Sequence, residues 1–424
     1  MNQWSKYIEQ LLSNIRKKGF FHLLSANLLI QLVAFASQLF VAGILSPEDI
    51  GRIKIIQTFL SIFSIVAGMG FNASTLKLCS ENRTKEEGLQ LFRSALAFTL
   101  ISTITIYTIV LILNAFGVFS SDTLIQWLIP IGLFPLISNS LFMVFVSYFQ
   151  ATKQIKLMSG ITMTNKIISI LAIVLLAYWF GIKGYYIAYN LSFIVMLFVS
   201  FRVVRNDFSS GTSTLQLKSL FPAHWKYARP STFANLLSEM SAYIDILLIN
   251  YLIDDMQEIG FYSFALTLTV ALRVFPSTVQ QIANPYFSGL ANNKPEFKKV
   301  FVRYNKQLYF IVVLTLVFVL LVVPPFINLI FTGKYDASMP YFTFLAIGWS
   351  VRMLIQLQSA AIFGLGKISY NAYISLISLV FNIIVCSLSI HYFGIMGAAY
   401  ASIPSGIVIL LASYYFMQKA LKQD

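Results

Sequence analysis

Long apolar runs separated by short polar breaks leave this chain few ways to fold. The runs fall at about residues 21–45, 54–78, 91–115, 124–149, 157–180, 184–204, 229–252, 260–286, 306–331, 341–364, 369–392 and 396–418. A helix needs roughly 20 apolar residues to cross the hydrocarbon of a bilayer, and irregular backbone cannot face lipid, so each run reads as one spanning helix. Of 424 residues 58% are hydrophobic and 11% charged, with a mean hydropathy of +0.75. That composition excludes a soluble multidomain protein. The expected fold class is an all-α polytopic membrane protein with twelve transmembrane helices. The longest polar interruptions, 202–229 and 290–306, are too short for a folded core of their own. The first run is longer than a signal-peptide core and no small-residue cleavage site follows it, so it is expected to remain as a span.

The formal net charge is +14, which in a soluble protein would suggest nucleic acid. Here its placement explains it. With the N-terminus taken as cytoplasmic, 24 of the 30 Lys and Arg fall on the side of both termini. Only Arg52, Lys54, Lys183 and Lys334 fall on the other side, and Arg273 and Arg352 lie inside spans. Positive residues mark cytoplasmic loops, so both termini are expected in the cytoplasm and no nucleic-acid partner is needed. In residues 1–20, Trp4, Ile8, Leu11, Leu12 and Ile15 recur at helical spacing beside Lys6, Arg16, Lys17 and Lys18. This fits an amphipathic cytoplasmic helix at an anionic leaflet, or a basic tail.

An internal repeat divides the runs into two sets of six. Gly51 in Glu48-Asp49-Ile50-Gly51 matches Gly260 in Gln257-Glu258-Ile259-Gly260, and Gly181-Ile182-Lys183-Gly184 matches Gly394-Ile395-Met396-Gly397. An even number of spans per repeat gives both halves one orientation. The expected organisation is an N-terminal lobe at 21–204, a cytoplasmic linker at 205–228, a C-terminal lobe at 229–418 and a cytoplasmic tail at 419–424.

No motif calls for catalysis. The segment Phe363-Gly364-Leu365-Gly366-Lys367 lacks the phosphate-loop pattern and reads as a turn between spans. His22, His224 and His391 are isolated from acids and cysteines, and Cys79 and Cys386 have no metal-ligand spacing, so no metal, cofactor or disulfide scaffold is expected. The informative residues are charges in spans, which cost from about 3 kcal/mol upward unless they face protein or water. They are Glu239, Asp245, Arg273 and Arg352, with Arg52 and Lys54 opening the second span. Guanidinium forks suit diphosphate or carboxylate oxygens, so these six are the candidate cavity residues. Plainer roles stand beside that one: Asp245 pairing with Arg273, Arg352 snorkelling, Arg52 and Lys54 anchoring at the interface, and Glu239 either packed neutral or carrying a proton.

The stretches Leu45-Ser46-Pro47-Glu48-Asp49-Ile50-Gly51, Gly68-Met69-Gly70-Phe71, Asp245-Ile246-Leu247-Leu248-Ile249, Ile259-Gly260-Phe261-Tyr262-Ser263-Phe264-Ala265 and Gly394-Ile395-Met396-Gly397-Ala398-Ala399, with Pro230 opening the seventh run, resemble the polysaccharide transporter family. That family lies within the multidrug/oligosaccharidyl-lipid/polysaccharide exporter superfamily, and the likeness is to its bacterial O-antigen flippases. The resemblance implies two six-helix lobes around a central cationic cavity in the bacterial inner membrane. It implies an undecaprenyl-diphosphate-linked oligosaccharide as substrate, membrane lipids as surroundings, and a polysaccharide polymerase and chain-length regulator as partners. Arg52 and Arg273 sit on spans where related flippases use arginines. Two other readings remain open: a cation-coupled drug antiporter, disfavoured because the first six runs hold no acid, and a membrane polymerase enzyme, disfavoured because every external connection is short.

Overall fold

The computed structural model describes residues 20–81, 84–209, 217–290 and 293–422. The amphipathic segment, apart from Phe20, residues 210–216 of the expected linker, and the last two residues of the tail lie outside them. Every regular element among the described residues is an α-helix. In order these are α1 (Phe20–Ile44), α2 (Pro47–Gly68), α3 (Phe71–Cys79), α4 (Lys85–Ala115), α5 (Thr123–Leu133), α6 (Pro135–Ala151), α7 (Ile155–Ser209), α8 (Leu217–Leu252), α9 (Met256–Leu268), α10 (Val270–Gly289), α11 (Lys294–Phe331), α12 (Ser338–Met353), α13 (Gln356–Gly364), α14 (Ile368–Phe393) and α15 (Ile395–Lys422).

Short polar signals start the helices where the apolar runs alone could not. The Ser46 side chain accepts from the Asp49 amide, Asp122 from Ile125, and Asp255 from Gln257 and Glu258, so α2, α5 and α9 each begin with one or two of their orphan N–H groups satisfied. Thr84 and Glu87 form a reciprocal capping box at the start of α4. The caps of α2, α5 and α9 stand at one end of the bundle with Glu48, Asp49, Asp254, Glu258 and Asp336, the acidic end; the start of α4 stands at the opposite, basic end.

Among the described residues nine helices are long and apolar enough to cross a membrane, against twelve expected runs. The difference has physical causes. The stretch Ile155–Arg205 spans 51 residues and changes direction at Gly181, whose φ of 60° and ψ of −144° are open only to glycine. The eighth run is interrupted at Thr269, and its second part carries Arg273, Gln280, Gln281 and Asn284. Of α1, only Gln31–Ile44 is described in full. The second, fourth and tenth runs are also divided, at Met69–Gly70, Phe134 and Leu354–Ile355.

The sequence repeat has a backbone counterpart. Gly394 turns α14 into α15 with φ 59° and ψ −149°, nearly the values at Gly181. In each hairpin the glycine three residues on lies so close to the opposing helix that a side chain would strike a carbonyl, Leu176 for Gly184 and Ser389 for Gly397. Residues 217–228, expected as linker, form the first turns of α8. His224 there is fully buried between the hydroxyls of Ser74 (2.8 Å) and Ser94 (3.1 Å), joining α8 to α3 and α4. Cys386 is buried, and the half-buried Cys79 thiol donates to the Gly88 carbonyl at 3.6 Å.

Candidate functional site

Contacts between the two halves shut the acidic end. The Lys334 ammonium, on the turn between α11 and α12, donates to the carbonyls of Ala42 (2.9 Å), Gly43 (3.1 Å) and Leu45 (2.6 Å) where α1 ends. A cation suits this place because the last carbonyls of a helix carry its negative end. Burial lowers the Lys334 pKa, and Glu48 partly offsets it. The Tyr335 hydroxyl also donates to the Ala42 carbonyl, at 2.9 Å. Beside them α2 packs on α9, and Asn250 and Tyr251 at the end of α8 donate to the carbonyls of Phe119 and Val118.

Below this seal, five of the six candidate residues come together. Glu239 and Asp245 lie on α8 with Tyr243 between them; Lys54 comes from α2, Arg273 from α10 just past the Thr269 break, and Arg352 from α12 just before the break at Leu354. Thr269 ends α9 with its hydroxyl donating to the Leu266 carbonyl (2.7 Å). The Thr269 amide also donates to the Leu266 carbonyl and the Leu272 amide to the Thr269 carbonyl, so the backbone stays paired across the break that precedes Arg273.

Trp349 organises the cations. The Arg273 guanidinium carbon lies 3.9 Å from the Trp349 ring centre, and that of Arg352 lies 5.2 Å from it. The Lys54 ammonium lies 5.3 Å from the ring centre of Tyr243. An aromatic face holds a partly desolvated cation with about 2 kcal/mol while leaving its N–H groups directed elsewhere. The Asp245 carboxylate accepts from the Tyr262 hydroxyl at 2.7 Å, and Glu239 accepts from Ser61. Asp245 and Arg273 form no ion pair; the tyrosine bonds one carboxylate oxygen, and the Arg273 guanidinium lies on Trp349. Lys54 feels both Arg273 and Asp245, Arg273 feels Arg352, Tyr243 and Glu239, and Arg352 feels Asp245. Among the described residues no ion pair neutralises the three cations. Asp245 Oδ1, Arg273 Nε and Arg352 Nε are buried without a hydrogen-bond partner.

Arg52 stands apart. Its guanidinium gives two bonds to Asp122 Oδ2 (3.1 and 3.0 Å) and one to Asp49 Oδ1 (3.0 Å), tying α2 to the start of α5. Arg352 lines a cavity of about 370 Å³ with Trp349, Gln280, Gln356 and Ser359. Lys54 and Tyr243 border two more. One, of about 320 Å³, adds Gln57, Ser61, Asn139 and Glu239. The other, of about 570 Å³, runs past α1, α2 and α7 with walls that include Ile53, Ile173, Phe193 and Phe264. The sequence reading missed Tyr243 and the platform role of Trp349; the tryptophan stands three positions before Arg352, one helical turn away.

An all-helical bundle with nine helices long and apolar enough to cross a membrane among the described residues, closed at one end and holding cations beside interior cavities, is a multi-pass membrane protein. Its fold is shared with several solved membrane proteins. It is similar to the lipid II flippase MurJ in its inward closed conformation, at 18% identity and a TM-score of 0.79, with 94% of this chain and 89% of that one covered. It is also similar to an inward-facing multidrug resistance MATE-family transporter of the MOP superfamily, at 15% identity and a TM-score of 0.72, with 93% and 96% covered. The outward-facing form of such a transporter matches at 16% identity and 0.66, with 94% and 93% covered. No curated protein matches the sequence. A family model described as polysaccharide biosynthesis protein matches residues 40–340, and the chain belongs to that family.

Proposed function

We propose that the protein is a flippase that carries an undecaprenyl-diphosphate-linked oligosaccharide across the bacterial inner membrane for O-antigen or related surface polysaccharide. The observation that carries this reading is the placement of Arg273 and Arg352 on Trp349, with Lys54 close by. A diphosphate cannot enter hydrocarbon unaided, and these cations offer donors that the protein itself leaves unneutralised. Arg273, Arg352 and Lys54 would contact the diphosphate, while Asp245 and Glu239 limit the excess positive charge. Arg52 would hold α2 and α5 together. The cavity past α1 and α7 has a mixed lining, with Ile53, Ile170, Ile173, Phe193 and Phe264 beside Gln31, Gln38, Asn165 and Lys166; its apolar part would take the start of a prenyl chain whose remainder stays in lipid.

The basic end would face the cytoplasm, as the distribution of Lys and Arg supports. Substrate would enter there and leave after the seal at Lys334 and Gly260 parts. The membrane-embedded lobes would span 21–204 and 229–418, on either side of the 205–228 segment. A polymerase and a chain-length regulator would act on the product. The test is complementation of a gene deletion. Arg273→Ala should give normal protein in the membrane, no surface polysaccharide, and undecaprenyl-linked single repeat units accumulated inside the cell; full polymer output would sink the assignment of Arg273.

A further inference from the structure

Toward the basic end from the Lys54 cavity lies a separate pocket of about 160 Å³ with a different chemistry. Its polar lining comes from four helical segments: Ser64 of α2, Asn72 of α3, Asn139 and Ser140 of α6, and Thr232 and Asn235 of α8. None of its lining residues is charged. The break between α2 and α3 shapes it, since Met69 and Gly70 both take left-handed backbone angles and Gly68 and Gly70 form part of the wall. Ser64 Oγ, Asn139 Oδ1 and Ser140 Oγ are buried and have no hydrogen-bond partner among the described residues. Ser140 as a whole is 6% exposed. Buried polar atoms in proteins are ordinarily paired, so three such oxygens around one pocket point to a ligand with many hydroxyl groups.

We infer that this pocket is a subsite for an uncharged sugar ring, the one bonded directly to the diphosphate of the lipid-linked substrate. The inference rests on the flippase reading and adds the location and chemical class of the sugar contacts. Amide and hydroxyl side chains both donate and accept, as ring hydroxyls require, whereas a phosphate or acidic sugar would call for cations that the pocket lacks. Position supports the same assignment. The pocket shares Ser64, Ile65 and Asn139 with the Lys54 cavity, and the first sugar of such a lipid is covalently joined to the distal phosphate. A sugar site therefore has to adjoin the phosphate site. The pocket is neutral and polar and opens onto the cavity bordered by Lys54, so uncharged sugar contacts adjoin a cation, as the first sugar adjoins the diphosphate along the lipid.

The test uses the full-length protein in nanodiscs and two probes, undecaprenyl diphosphate and undecaprenyl diphosphate bearing one N-acetylhexosamine. The wild type should bind the sugar-bearing lipid about tenfold more tightly than the bare one, as one or two net hydrogen bonds predict. Asn72→Ala/Asn235→Ala should remove that difference with the affinity for bare lipid unchanged, and Ser140→Ala should remove part of it. Melting temperatures of the variants establish that they are folded. Equal affinity of the wild type for both lipids, or a difference that survives in the double variant, overturns the subsite. Failure of the wild type to bind either lipid overturns the flippase reading and the subsite with it.

Discussion

Gly51 and Gly260, 209 positions apart in the chain, meet where its two halves touch. A Cβ on Gly51 would lie 2.9 Å from the Gly260 amide nitrogen, and a Cβ on Gly260 would lie 1.9 Å from the Pro47 carbonyl oxygen. Equivalent points of an internal repeat therefore contact each other, and the acidic end closes backbone against backbone. Gly260→Ala should force α2 and α9 apart. Overpacking of this kind costs about 1–3 kcal/mol. A cysteine placed at Gln257 should then react faster with a membrane-impermeant thiol reagent than in the parent; an unchanged rate would mean that the seal does not depend on this contact.

Lys334 and the end of α1 form the second part of that seal. Lys334→Met keeps the length of the side chain and removes three charge-assisted bonds. Such bonds contribute about 1.5–3 kcal/mol each at most when buried, and less at a half-exposed position. The closed form should lose population, seen as faster labelling at the acidic end together with a lower melting temperature. Lys334→Arg should retain most of the seal.

Arg52 and Lys54 are two residues apart but should behave oppositely. Arg52→Ala removes the link between Asp49 and Asp122 and should lower stability by about 1–3 kcal/mol, measured as a melting shift. Lys54→Ala should leave the melting temperature nearly unchanged and weaken binding of undecaprenyl diphosphate by tenfold or more. The reverse pattern would exchange their roles.

Trp349 tests the cation platform without removing a charge. Trp349→Leu keeps an apolar side chain and deletes the aromatic face under Arg273 and Arg352. The loss of about 1–2 kcal/mol predicts five- to thirtyfold weaker binding of undecaprenyl diphosphate, with Trp349→Phe between. Unaltered binding in the leucine variant would show that the arginines do not depend on the ring.

The sequence already held the helical class, the repeat and most of the charged cluster, and the reasons are local. An apolar run must become a helix in lipid, and an ionised residue inside one must find a polar interior, so Glu239, Asp245, Arg273 and Arg352 stood out by depth alone. Paired glycines at 51 and 260, and at 181 and 394, marked the repeat because backbone approach and glycine-only angles admit no other residue. Partnership was not legible. Arg52 and Lys54 looked alike as a basic pair at a helix start, and only the approach of Asp122, 70 positions away, makes one of them structural. Asp245 and Arg273 looked complementary, yet Tyr262 holds the carboxylate and Trp349 holds the guanidinium.

Hydropathy, caps and glycine spacing act over a few residues, so the chain by itself determined its helices, its repeat and which charges had to be inside. Distances across the bundle depend on how the helices pack, and the packing alone decided which charges remain unneutralised, where the cavities lie and which end is shut. It also decided that the uncharged residues Ser64, Asn72, Asn139 and Asn235, which no run of sequence marks out, meet around one pocket beside the Lys54 cavity.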